Sequence, residues 1–138
     1  MKKIISIILV ILWMTLIFIM SSFNANDSSN QSSFIANIII NILNINNSDI
    51  LHIIIRKLAH FWEFMILGIL VNNVMKQYNK KWYLIIIICI TYAISDEIHQ
   101  IFVPGRAFKM LDILVDSIGS TIGIILFNIK NIIPKRKA

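Results

Sequence analysis

The sequence contains a single cysteine, Cys89, among its 138 residues. One cysteine cannot form an intrachain disulfide, and a lone thiol does not make a metal site. Cys89 lies within an apolar run, which predicts a small residue in the protein core or facing lipid. No three-ligand zinc motif occurs elsewhere, so we predict no metal site. The sequence identifies no cofactor.

Charged residues are also few. They make up 14% of the chain, whereas soluble domains have about 25%. Hydrophobic residues make up 57% and the mean hydropathy is +0.77, which argues against a separate soluble domain. The apolar excess lies in four stretches of near-spanning length, since a helix needs about 20 residues to cross a bilayer. These stretches predict transmembrane helices at about 4–22, 55–75, 82–102 and 111–129.

We therefore predict an all-α fold, a polytopic membrane protein with a four-transmembrane-helix bundle that forms a single domain over residues 1–138. An outer loop at 23–54 joins the first two spans. In this loop Asn37, Asn41 and Asn44 recur at helical spacing among isoleucines, which predicts a short interfacial helix, or equally a helix that packs over the bundle as a lid. A cleaved signal peptide is the alternative for the first span. Its apolar run is long and its cleavage site is poor, which favours a retained helix.

Acidic residues are the scarcer charge, because seven Asp and Glu stand against 13 Lys and Arg, for a net charge of +6. With four spans, nine basic residues fall on one side of the membrane and no acid joins them. This positive-inside pattern predicts a multi-pass protein of the cell membrane with both termini in the cytoplasm. Membrane electrostatics account for the basic excess, so the predicted partner is the lipid bilayer and not nucleic acid.

Polar residues of three spans converge near the outer face. On the second span Arg56, His60 and Glu63 step by 4 and 3 residues, which places them on one face of an α-helix. On the third span Asp96 lies about 21 Å from the inner interface at a rise of 1.5 Å per residue. The fourth span begins with two further acids. We therefore predict one polar site near the extracytoplasmic face.

Ionisable residues inside a membrane are expensive unless they are paired or hydrated, and they indicate a functional site by default. The candidate catalytic residues are His60, Glu63, Asp96, Glu97 and His99. Histidines and carboxylates can orient water or transfer protons. The candidate substrate-binding residues are Arg56, Lys57, Gln100, Arg106, Asp112 and Asp116. An arginine fork can hold a phosphate or carboxylate through two hydrogen bonds. The alternative is a structural network, because five acids against three or four bases can largely pair off.

Small residues predict where the chain packs closely or turns. Gly119 and Gly123 form a Gly-x-x-x-Gly on the helix face that carries the two acids of the fourth span, and Gly68 lies on the second span. Such glycines let another helix approach closely. Pro104-Gly105 predicts the turn between the third and fourth spans.

Several long segments resemble the VanZ-like family of bacterial membrane proteins, named after the teicoplanin-resistance protein VanZ. The resemblance rests on the segments 56–64, 67–68 and 95–106 and on Asp112, Asp116 and Gly119, and it extends roughly from Trp13 to Gly123. The family pattern often has Tyr at the position of Phe64. Teicoplanin is a glycopeptide antibiotic that acts at the cell wall. The resemblance therefore implies a role in the cell envelope or in the response to antibiotics, at the outer face of the cytoplasmic membrane, but supplies no reaction.

Two functions remain open. In the first, the outward-facing site binds or acts on an anionic envelope molecule, such as a lipid-linked cell-wall precursor or a phospholipid headgroup, and affects glycopeptide susceptibility. In the second, a non-catalytic membrane module uses its charges only to keep its shape, and it modulates the envelope or shields antibiotic targets. Ion transport is disfavoured, because four short helices show no internal repeat. The sequence leaves open whether the protein is an enzyme and what its oligomeric state is.

Overall fold

The computed structural model describes residues 2–24, 48–79 and 81–132. These residues form four helices and no strand: α1 (Lys2–Ser21), α2 (Ser48–Gln77), α3 (Trp82–Gln100) and α4 (Met110–Ile132). The all-α prediction is confirmed over these ranges. The predicted interfacial helix and most of the predicted outer loop lie outside the described residues.

Three of the helices are long and apolar enough to cross a membrane, namely α1, α3 and α4 as far as Ile129. Large apolar side chains cover their outer surfaces, for example Leu12, Ile87 and Ile118, which are more than half exposed. This is the surface that a lipid-facing helix needs. Helix α2 is the longest at 30 residues, and its crossing remains a prediction.

Helices α1 and α2 run in opposite directions. Near the start of α1, Ser6 Oγ accepts a hydrogen bond from Gln77 Nε2 at the end of α2, at 2.9 Å. Further along α1, Trp13 Nε1 donates to the backbone oxygen of Glu63 at 2.9 Å. A later position on α1 thus meets an earlier position on α2.

Helices α1 and α3 run in the same direction. Tyr92 Oη donates to the backbone oxygen of Met14 at 2.5 Å. One turn further along α1, the Phe18 ring lies 4.2 Å from the His99 ring, measured between centroids. The later residue of α1 thus contacts the later residue of α3, so the C-terminal ends of α1 and α3 lie at the same end of the bundle.

Helices α2 and α4 run parallel to each other and pack closely through glycine. Each of three glycines faces a backbone carbonyl of the other helix: Gly68 faces Ser120, Gly119 faces Phe61, and Gly123 faces Met65. A Cβ at any of these positions would collide with that carbonyl oxygen. The prediction that these glycines allow close helix contact is confirmed, and the structure identifies the contacting pair as α2 and α4.

Apolar side chains of all four helices form the core. Its buried members are Ile17, Phe64, Leu67, Val71, Ile85, Cys89, Ala93, Ile113 and Ile124. Cys89 is a core residue with 0% exposure, as one of the two sequence predictions for it stated. The core lies below the polar residues and fixes how the helices meet there.

The segment between α3 and α4 contains a tight turn. The Arg106 N–H donates to the Val103 oxygen at 3.1 Å, and Gly105 has a φ of 76°. Proline at the second position and glycine with positive φ at the third define a type II turn. The predicted Pro104-Gly105 turn is therefore confirmed, and it holds Arg106 beside the ends of the helices.

Charge is separated between the two ends of the bundle. The start of α1, the end of α2 and the start of α3 form one end, where Lys3 lies over the Tyr78 ring at 5.0 Å. Described lysines at this end, which we call the lysine end, are Lys2, Lys3, Lys76 and Lys81. The opposite end, the polar end, carries the predicted site residues. This separation agrees with a positive-inside orientation, which remains a prediction.

Candidate functional site

Three helices and one loop supply the polar end. Helix α2 contributes Arg56, Lys57, His60 and Glu63; α3 contributes Asp96, Glu97, His99 and Gln100; the loop contributes Arg106; α4 contributes Asp112 and Asp116. The α2–α4 glycine contact brings the two backbones so close that polar side chains nearer the N-terminal ends of both helices face each other. Six of these residues are buried: His60, Asp96, Glu97, Gln100, Asp112 and Asp116.

Lys57 and Asp112 form an ion pair between α2 and α4. Lys57 Nζ donates to Asp112 Oδ1 at 2.6 Å. Asp112 lies in the first turn of α4, where the partial positive charge of a helix N-terminus also favours a carboxylate. These two candidate binding residues therefore neutralise each other, and their contact with a ligand remains a prediction.

His60 and Asp116 form a second, looser pair between the same helices. His60 Nδ1 lies 3.4 Å from Asp116 Oδ1, beyond the 2.7–3.2 Å range that is typical of N–H···O hydrogen bonds. Asp116 is 0% exposed, and neither of its oxygens has a hydrogen bond. A carboxylate in this position can orient an imidazole, which is the arrangement that general acid–base chemistry uses.

Two acids of α3 are each satisfied on one oxygen. Glu97 Oε2 accepts the backbone N–H of Lys109 at 2.7 Å, which connects α3 to the start of α4. Asp96 Oδ2 accepts from Gln100 Nε2 at 3.1 Å. The remaining oxygens, Asp96 Oδ1 and Glu97 Oε1, are buried without a partner. Leaving a buried polar atom unpartnered costs about 1–3 kcal/mol, and more when it is charged.

Arg56 and Arg106 are electrostatic neighbours without a counterion in direct contact. Neither arginine lies within the ion-pair distance of 4.0 Å from an acid that the structure describes, and the Nε of each is buried without a partner. Burial lowers the pKa of the Arg106 guanidinium, and the positive charge of Arg56 lowers it further. The negative charges of Asp96, Glu97 and Glu63 act on the Arg106 pKa in the opposite direction. The polar end therefore holds two half-buried guanidinium groups that are electrostatic neighbours of each other and of carboxylates that do not contact them.

Glu63 lies between these charges. It is half-buried, and its electrostatic neighbours include His60, Asp96, Asp116 and Arg106. No basic side chain of the described residues lies within ion-pair distance of its carboxylate. Glu63 is therefore the partly accessible acid of the polar end, whereas the other four acids there are buried.

His99 is set apart from the other predicted residues. Its ring lies against Phe18 of α1, and its Nδ1 is buried without a hydrogen bond. The described contacts of His99 thus point toward α1 and not toward the carboxylates, so the prediction of a catalytic role gains no support from this geometry.

The charges pair off less than the structural alternative predicts. Among the described residues, two pairs come within ion-pair distance, Lys57–Asp112 and His60–Asp116. The sequence gives balanced numbers of acids and bases, but the geometry leaves both arginines and several carboxylate oxygens unmatched. In the part of the chain that the structure describes, no group of three or more His, Cys, Asp or Glu side chains is arranged to hold a metal ion.

Sequence reasoning missed the contribution of α1 to this end. Trp13 holds the backbone of Glu63, and Tyr92 ties α3 to the Met14 carbonyl. A signal for both was present, because an indole N–H or a phenol O–H buried in an apolar helix must find an acceptor. Sequence spacing does not identify that acceptor, since it lies on another helix.

One comparison with known proteins gave a match. A sequence model of the family described as VanZ/LLP1 matches residues 6–131, which is nearly the whole chain. No curated protein and no solved structure shows a significant match.

Proposed function

The chain belongs to the VanZ/LLP1 family, and we propose that it is an integral protein of the cytoplasmic membrane whose polar end binds the anionic group of a cell-envelope molecule. A lipid-linked cell-wall precursor and a phospholipid headgroup both carry such a group. In this proposal all four helices cross the membrane, both termini lie in the cytoplasm, and the polar end faces outward.

The observation that carries the proposal is the unmatched pair Arg56 and Arg106. The two guanidinium groups are electrostatic neighbours of the same sign, and the described residues bring no carboxylate within ion-pair distance of either. A phosphate placed between them would accept hydrogen bonds from both forks and remove the repulsion. An anionic ligand therefore accounts for an arrangement that is unfavourable in its absence.

The surroundings of Arg106 favour a ligand that comes from the membrane. Phe102 and Phe108 lie on the same loop and are 80% and 43% exposed. Exposed apolar rings beside the end of a membrane helix favour contact of that end with the membrane. Arg106 would then lie at the depth of phosphate groups, with apolar side chains on both sides of it in the sequence.

Binding of a short-chain anionic lipid tests the proposal. We expect the purified protein in detergent to bind dihexanoylphosphatidylglycerol in calorimetric titrations, and Arg106→Ala to weaken binding about tenfold or more, since a charged hydrogen bond contributes about 1.5–3 kcal/mol. Lys109→Ala is the matched control. It removes an exposed positive charge from the same loop but keeps the backbone N–H that Glu97 accepts. Absence of binding, or equal losses in both variants, would contradict the proposal.

A non-catalytic module with a structural network is the second candidate. The Lys57–Asp112 pair and the Glu97 bond to the Lys109 N–H favour it, because both tie α4 to its neighbours. Charge-conserving exchanges separate the two candidates. If only charge matters, Arg106→Lys should keep the glycopeptide susceptibility of complemented cells at the wild-type level. Loss of the effect, with expression intact, would favour a binding site that needs the arginine fork.

A further inference from the structure

We infer that the ligand of the polar end is bipolar and carries a primary ammonium group next to its phosphate, as a phosphoethanolamine headgroup does. The inference rests on the proposed function and specifies its ligand class. Its basis is that the two unmatched arginines share the polar end with carboxylates that also lack a counterion.

The buried carboxylates supply the first step. Asp96 and Glu97 are each at most 3% exposed, and each has one oxygen without a hydrogen bond and no ion-pair partner among the described residues. Asp116 is also buried, and its nearest cationic partner is the His60 imidazole at 3.4 Å. The ammonium group of Lys57 already pairs with Asp112. Burial of unmatched charges of both signs is unfavourable, so the cluster needs a positive group as well as a negative one.

The second reason is the position of Glu63, whose carboxylate is where the cationic group of the ligand would bind. It is the half-buried acid of the cluster and has no ion-pair partner among the described residues, although Arg106, Asp96 and Asp116 are all its electrostatic neighbours. Arg56 and Glu63 lie on the same face of α2, and Arg106 of the facing loop is an electrostatic neighbour of Glu63. A ligand lying along this face would place its anionic end at the arginines and its cationic end at Glu63.

The chemistry of the cationic end follows from the acceptors. Carboxylate oxygens without hydrogen bonds call for N–H donors, and a primary ammonium group offers three. A quaternary ammonium group offers none. A purely anionic headgroup would contact the arginines but would leave Glu63 and Asp96 unmatched and close to its own negative charge.

Three lipids of equal chain length test the inference. In calorimetric titrations of the full-length protein in detergent, we expect dihexanoylphosphatidylethanolamine to bind at least tenfold more tightly than dihexanoylphosphatidylglycerol. Dihexanoylphosphatidylcholine should bind most weakly. Glu63→Gln, which keeps the size of the side chain and removes its charge, should abolish the advantage of the ethanolamine lipid. Arg106→Ala should weaken binding of both the ethanolamine and the glycerol lipid.

The outcomes separate this inference from the proposed function. Equal binding of the ethanolamine and glycerol lipids, with both lost in Arg106→Ala, would overturn the bipolar ligand and support the anion site. Absence of binding of either lipid would overturn both. Free O-phosphoethanolamine should show the same Glu63→Gln sensitivity, and the ratio of its affinity to that of the acylated lipid measures how much the lipid chains add. If Glu63→Gln does not fold, Asp96→Asn provides the same comparison.

Discussion

Asp112 and Asp116 lie one turn apart on α4 and are both buried, but their carboxylates have opposite surroundings. Asp112 accepts a 2.6 Å bond from Lys57, whereas both oxygens of Asp116 lack a hydrogen bond. A buried carboxylate that is satisfied stabilises the fold, and one that is not costs stability. The polar end therefore contains a buried acid, Asp116, that is held only by the loose contact with His60 at 3.4 Å.

Paired substitutions make this contrast measurable. We expect Asp112→Asn to lower the free energy of unfolding by about 1–3 kcal/mol, because it leaves Lys57 without its counterion. Asp116→Asn removes a desolvated charge, and the asparagine side chain has nearly the same volume as the aspartate. This substitution should therefore leave thermal stability unchanged or higher. Thermal unfolding in detergent measures both variants. A larger loss of stability in Asp116→Asn than in Asp112→Asn would show that Asp116 is a structural residue.

At the scale of elements, the α2–α4 contact determines the geometry of the site. Three glycines bring the two backbones together just below the His60–Asp116 and Lys57–Asp112 pairs. Helix axes usually lie 8–10 Å apart, and the closer glycine contact shortens the gap that the short aspartate side chains and the His60 ring have to cross. Close packing in one part of the interface thus forms the ion pairs in another.

Gly119 tests this coupling. A Cβ at this position would collide with the Phe61 carbonyl oxygen, so Gly119→Ala must push α2 and α4 apart. We expect a loss of about 1–3 kcal/mol from overpacking, together with weaker lipid binding, because Arg56 and Glu63 move with α2. The neighbouring Ile118→Ala is the control, since Ile118 is exposed. If Gly119→Ala matched that control in both stability and binding, the close contact would not position the site.

The sequence predicts the elements better than their partners. Spacing places Arg56, His60 and Glu63 on one face of α2, and the apolar runs give α3 and α4 within three residues of their observed ends. Periodicity reports which residues share a face but not which helix covers it. For that reason the pairing of Lys57 with Asp112 and the contact of His99 with Phe18 appear only in the structure.

For the whole molecule, the separation of charge gives the topology that remains to be tested. The single cysteine makes the test direct, because Cys89→Ala gives a background without thiols.

We expect Lys109→Cys and Ser22→Cys to react with a membrane-impermeant maleimide in intact cells. Lys3→Cys and Lys81→Cys should react only after permeabilisation, because the proposed topology places the lysine end in the cytoplasm. Since α2 joins the side of Ser22 to the side of Lys81, opposite labelling of these two positions requires α2 to cross the membrane. Labelling of both from outside would exclude the fourth span, and the polar end would then need another orientation.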